Sequence, residues 1–381
     1  MELTNEQRRC LGLLEIEPYW KRVDMGEGNI LYFNEDVIRK WIINREGHYE
    51  ESTYWVKASR DRTLLLPKTG RGKEKKFTFA NLQKMGGEGA YFSFRGYLTI
   101  GNVTNQRTLY SSRMAGLPPM SEKELEDFLK RWVEETDDAQ MAKVKEFAGG
   151  ARRHCRYEEG DFFRFALDRT HYGYGRILLD VTKRRRLGEK DWKILMGKPL
   201  IVKIYHIVTT DPDVLPAILE NYTACPACYI MDNRFYYGDY EIVGNLPLRE
   251  EQEEYPVMYG QSIDAKEPDK IMLQIGPVYR ELPLEGNPVV PGISRNNGIG
   301  IDPDVDKALL EACIAAGSNE PYWERDAGRA SSDIRNPKKR EILRAVLRQF
   351  GVEEQYAQWL NNLLINNQQD LIAEKLKCNQ Q

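Results

Sequence analysis

Cys225-Pro226-Ala227-Cys228 places two thiols at the spacing of half a zinc site or of a dithiol redox motif. A structural zinc needs two further ligands, and no second CxxC or CxxH occurs in the chain; His171 and His206 are the only imidazoles near it in sequence. A redox pair should open a helix after a strand in a βαβ unit, and the surroundings read as β-rich. The expectation is therefore buried or bystander thiols, with no metal and no cofactor. The four histidines, His48, His154, His171 and His206, show no HExxH or paired-ligand spacing, and no GxSxG elbow is present. Gly26-Glu27-Gly28 and Gly86-Gly87-Glu88-Gly89 lack the lysine and the strand–turn–helix setting of a phosphate loop, so turn duty is expected of them. Glu250-Glu251 and Glu253-Glu254 read as a solvated acidic surface. No enzyme and no small-molecule substrate is expected, although catalytic groups far apart in sequence would leave no such signature.

Charge is nearly balanced, with 55 basic and 58 acidic residues and a net charge of −3, which points to neither a nucleic-acid nor a membrane partner. The basic clusters are Arg152-Arg153-His154, Lys183-Arg184-Arg185-Arg186 and Lys338-Lys339-Arg340; the middle one, read as a hairpin loop, is the best nucleic-acid candidate, and nearby acidic runs offset it. A hydrophobic content of 41% and a charged content of 30% describe an ordinary globular protein. The 21 tyrosines suit β-cores and recognition surfaces alike. The stretch MELTNEQRRCLGLL has no apolar core of signal-peptide length, and no run approaches the ~18 apolar residues of a membrane helix. Six cysteines scattered along the chain make no disulfide framework. The cytoplasm is the expected location.

The elements that would position any site centre on EEGDFFRFALDRTHYGYGRILL, residues 158–179. Phe162 to Leu167 reads as a strand, Asp168 to Thr170 as a polar break, and Tyr172 to Leu179 as a second strand. Gly173 and Gly175 fall on one strand face and Tyr172 and Tyr174 on the other; alternate glycines mark a bulge or a tight bend in a small curved barrel. "EGD-x-F" followed by "YGYGRIL" resembles the opening of the Immunity protein 26 family. The similarity continues through the "G-x-P-L-x-V-x-x-Y" strand at Met196 to Tyr205 and the Gly238-Asp239 ahead of the next strand. The resemblance implies a mostly β domain of bacterial polymorphic-toxin systems that binds and neutralises a cognate protein toxin. It implies no catalytic or cofactor residues.

An α+β fold is expected. It has a mostly β N-terminal domain (1–115), a helical connector (116–150), a central curved sheet or small barrel (151–285), and a linker with a C-terminal helical region (286–381). In the first, Thr4 and Gln7 form a capping-box pattern, and short strands are read at Ile30–Phe33, Thr53–Val56, Thr63–Leu66, Tyr91–Phe94 and Tyr97–Ile100. Ser121 starts a helix running to about Glu135, which the Asp137–Gly150 stretch extends. Further strands are read at Ile271–Gly276 and Val278–Leu282. Helices follow at Asp304–Ala316, after Asn336-Pro337, and at Glu353–Leu376.

Loops on a rigid scaffold carry function, and aromatic and arginine side chains carry interface energy. The loops at Arg169–Tyr174, Lys183–Arg186 and Arg234–Tyr237 combine both, so Tyr172, Arg185, Arg234 and Tyr236 are expected at the toxin contact. The competing expectation is that these tyrosines pack inward. A nucleic-acid-associated barrel module and an enzyme of unrecognised type remain the alternative functions.

Overall fold

The computed structural model describes residues 1–66, 70–193, 197–249, 252, 254–262, 268–291, 296–297, 304–325, 333–354 and 356. They form two compact units: residues 1–155 with 166–170 and 236–239, and residues 156–165 and 171–235 with those from 240 onward.

The first unit is built on an antiparallel sheet of β1 (Lys21–Asp24), β2 (Asn29–Asn34), β3 (Val37–Arg45), β4 (His48–Ala58), β7 (Glu88–Arg95), β8 (Tyr97–Asn102) and β9 (Thr108–Ser111), in that order. The short β5 (Leu64–Leu66) and β6 (Lys75–Lys76) extend from β4. Alternation along β2 explains both cores: Ile30 and Tyr32 pack with α1 (Asn5–Cys10), α3 (Glu122–Glu134) and α4 (Asp138–Gly149), while Leu31 and Phe33 pack with β5 and α2 (Phe79–Met85). The Thr4–Gln7 capping box forms, and Ser121 and Glu124 make a second one. α4 is a separate helix rather than an extension of α3, because Asp137 leaves the helical conformation and caps the Gln140 N–H.

In the second unit, β13 (Cys228–Met231), β12 (Pro199–Ile204), β11 (Tyr172–Asp180), β10 (Asp161–Ala166) and β14 (Glu241–Asn245) form a five-stranded sheet in that order. Where a barrel is expected, the described strands make a sheet whose edges, β13 and β14, are not paired to each other. Its bend is concentrated at register shifts between Phe162 and Phe163 and between Ile177 and Leu179. A second sheet, β17 (Val278–Pro283), β16 (Lys270–Ile275), β15 (Val257–Gln261) and β18 (Asn296–Asn297), packs its apolar face on α10 (Arg340–Gln349). Met258 of β15 joins Leu178, Ile201 and Tyr229 in a shared core. Among the described residues the remaining α-helices are α5 (Val181–Arg186), α6 (Pro216–Leu219), α7 (Asn233–Tyr236), α8 (Lys307–Ala316) and α9 (Glu320–Glu324). The fold is thus α+β. The helix expected at Glu353–Leu376 falls mostly outside the described residues.

Candidate functional site

The glycines of the YGYG strand are seats for rings. A methyl group on Gly173 would lie 2.6 Å from Phe165 Cζ, and one on Gly175 would strike Phe163 and lie 2.5 Å from the Lys203 carbonyl oxygen. Phe163 and Phe165 then stack on Tyr240 at centroid distances of 5.5 and 5.0 Å.

The next residue, Arg176, is fully buried over the Phe162 ring. Its Nη1 donates to Glu220 Oε1 at 2.8 Å and to Gln252 Oε1 at 3.2 Å, and its Nη2 donates to the Leu246 and Pro247 carbonyls at 2.6 and 3.2 Å. Burial pushes the Glu220 carboxyl up, but the hydrogen bonds from Gln252 and Arg176 outweigh it and hold it below its ordinary value.

Other motif residues are pins of the same kind. Asp161 accepts from the Glu158 N–H at 2.7 Å and from Asn245 Nδ2 at 2.8 Å. Gly238 takes a φ of +69° that disfavours a side chain, and Asp239 accepts the Thr108 N–H at 2.6 Å.

The residues expected at a partner contact are half-buried rather than free. Tyr172 makes a backbone bridge to Thr209 and lies against the cluster of Phe162, Tyr174 and Tyr205, with the Arg164 guanidinium 5.6 Å from its ring centre. The expected loop at Lys183–Arg186 is the helix α5, started by Asp180 accepting the Thr182 and Lys183 N–H groups. Within it Arg185 donates to the Trp192 carbonyl at 2.9 and 2.7 Å and to the Gly197 carbonyl at 3.2 Å. Lys183 and Arg184 share the Glu159 carboxylate at 3.4 Å, which offsets part of the cluster's charge. Arg234 sits 5.8 Å from the Tyr240 ring centre, and Tyr236 stacks on His154 at 4.8 Å. At the hairpin break, Arg169 lies 4.0 Å over Trp132 and donates to its carbonyl.

One group of exposed apolar residues flanks α6. Leu215, Ile218 and Tyr222 are 63%, 48% and 41% exposed on the single turn of α6 and its flanks. Beside them Arg164, Asp213, Leu215 and Glu241 line a cleft. Arg164 pairs there with Glu241 at 2.7 Å and with Asp213 at 3.2 Å. No periodicity marks this face, because α6 is a single turn starting at Pro216.

The cysteine pair has neighbours that the sequence does not reveal. Tyr205 and Ala224 form an isolated antiparallel bridge, the His206 N–H reaching the Thr223 carbonyl and the Cys225 N–H the Ile204 carbonyl. Cys313, in the last turn of α8, completes a group in which one His206 ring nitrogen and the sulfurs of Cys225 and Cys313 all lie within 4.8 Å of one another. Cys228 is not part of this trio. Folding thus gives Cys225 two partners that the sequence does not show, so three candidate ligands come together in space. The hydrogen bond between the sulfurs, helped by burial, raises the Cys225 thiol well above its ordinary range. The same bond, with His206 and the Tyr322 N–H, holds the Cys313 thiol low. Asn319 donates Nδ2–H to the Ala224 carbonyl at 3.0 Å, which turns its Oδ1 toward His206 Nε2 at 3.1 Å. Thiol, imidazole and amide are the ingredients of a nucleophilic triad, but Cys313 is 0% and His206 4% exposed, closed to any substrate.

Residues 158–269 match the model of the family described as Immunity protein 26, a segment of the chain covering the five-stranded sheet and β15. No curated protein and no solved structure matches the chain. Among the described residues no helix is long and apolar enough to cross a membrane.

Proposed function

We propose that this protein is a cytoplasmic immunity protein that binds a cognate bacterial toxin and blocks it without turnover of its own. The family match over 158–269 carries the reading. The buried motif residues support it, since Asp161, Gly175 and Arg176 hold a scaffold together and offer nothing to a substrate. Binding rests on the face of Leu215, Ile218 and Tyr222 beside the Arg164 cleft, an apolar centre with a charged rim. Tyr172, Arg185, Arg234 and Tyr236 contribute through the parts they leave exposed.

A nucleic-acid module is disfavoured by the pairing of Lys183 and Arg184 with Glu159. The test is to co-express the chain with toxins encoded beside its gene and to measure growth rescue and co-purification. Rescue with a stable one-to-one complex is expected; the absence of both for every neighbouring toxin removes the reading.

A further inference from the structure

We propose that His206, Cys225 and Cys313 bind a single zinc ion. The proposal is independent of toxin binding.

Four observations carry it. First, the ligand set is right: two thiolates and an imidazole select zinc over the hard divalent cations. Second, all three groups come together from separate elements within 4.8 Å, a separation that a bound ion closes by small side-chain rotations.

Third, His206 is pre-oriented. The Asn319 carbonyl oxygen is an acceptor only, its amide nitrogen being turned to Ala224, so Nε2 carries the ring proton. Nδ1 then keeps its lone pair and accepts the Thr223 hydroxyl proton at 2.9 Å, a bond that an ion on Nδ1 displaces. A ligating histidine whose other ring nitrogen donates to an oxygen is the usual arrangement in zinc proteins.

Fourth, the charge closes. The three residues are 4%, 2% and 0% exposed, and a divalent cation with two thiolates is neutral overall, so burial carries no net ionic penalty.

The sequence disguises this site. His206 and Cys225 belong to the family segment, whereas Cys313 and Asn319 come from α8 and the turn after it, outside that segment. The CxxC spacing draws attention to Cys228, yet the sulfur that folding brings to Cys225 is that of Cys313.

The test uses the full chain, stripped with a chelator under reducing conditions, reloaded with zinc or cobalt and desalted. About one zinc per chain is expected, as a site of this type binds tightly at neutral pH. Cobalt should give thiolate-to-metal charge-transfer absorption in the near ultraviolet with intense tetrahedral bands in the visible. Cys313→Ser and His206→Ala should each lose the ion on desalting, and Asn319→Ala should weaken binding about 10–100-fold. Cys10→Ser, which removes a buried thiol of the first unit, should keep full stoichiometry.

If a ligand variant does not fold, the cobalt spectrum of the unaltered chain decides, because it reports sulfur ligation directly. A chain that takes up less than about a tenth of an equivalent overturns the proposal. So does a cobalt spectrum without thiolate bands, or zinc retained in folded Cys313→Ser.

Discussion

The ring of Phe163 lies directly over Gly175, in the space that a side chain at that position would fill. Gly175→Ala should therefore destabilise the protein by about 1–3 kcal/mol, since both the ring and the Lys203 carbonyl must move. Urea denaturation of the full chain measures it. Gly149→Ala, where nothing lies within 4 Å of the added methyl, serves as the neutral comparison. Equal midpoints for the two variants would show that the ring seat carries no constraint.

Arg176 is expected to be among the costliest single positions. Replacing it with methionine keeps an apolar body over Phe162 but strands the Leu246 and Pro247 carbonyls and frees Glu220, at a cost of about 3–5 kcal/mol. The pair also sets a pH dependence. The Glu220 carboxyl lies below its unfolded value of about 4.3 when folded, so its contribution is complete above that pH and lost as pH falls through the folded value. Glu220→Gln should flatten that part of the acid limb, and a limb unchanged in Glu220→Gln would deny the linkage.

In the first unit, Glu51 is buried among Arg8 at 2.9 Å, Lys40 and the Tyr49 hydroxyl. Burial pushes its carboxyl up, but Lys40 and Arg8 win and hold it low. Glu51→Gln leaves two buried cations without a counter-charge, and a loss of about 3–5 kcal/mol is expected. Replacing Arg8, Lys40 and Glu51 together with Met, Met and Leu should cost less than Glu51→Gln alone. Thermal unfolding of the two variants orders them, and the reverse order would contradict the account.

For partner contact, Leu215→Arg and Ile218→Arg should leave the midpoint of unfolding within about 0.5 kcal/mol, being surface positions, while cutting toxin affinity at least tenfold. Alanine at Tyr172, Arg185, Arg234 or Tyr236 should weaken binding less. Arg185→Ala should also lower stability, because its guanidinium ties α5 to the Trp192 and Gly197 carbonyls. Titration calorimetry with the cognate toxin separates the two sets. Full affinity in both arginine variants would move the interface off α6.

Short-range chemistry accounts for what the sequence shows. The caps at Thr4 and Ser121 and the glycine stop of α8 were legible because each depends on a few adjacent residues. The YGYG strand is legible as a strand, but the bulge that its glycines suggest lies further on, between Ile177 and Leu179, and the glycines instead seat Phe165 and Phe163. Strand β3 is not legible: VIRKWIINR is interrupted by Arg39 and Lys40, and only folding shows Lys40 turned inward onto Glu51. Side-chain type marks Arg185 as a contact residue but does not reveal that it spends its donors on backbone carbonyls. Cys313 and Asn319 gave no signal because their neighbours are distant along the chain.

The family match ends at residue 269, immediately before β16 begins at Lys270. β15 lies inside the match, but both strands that flank it, β16 and β18, lie outside. A polypeptide stopped at that point would present both edges of an apolar strand to water, a ready template for self-association. The matched segment is therefore recognisable by itself but not separable by itself, and transplanting it means moving the C-terminal sheet along with it.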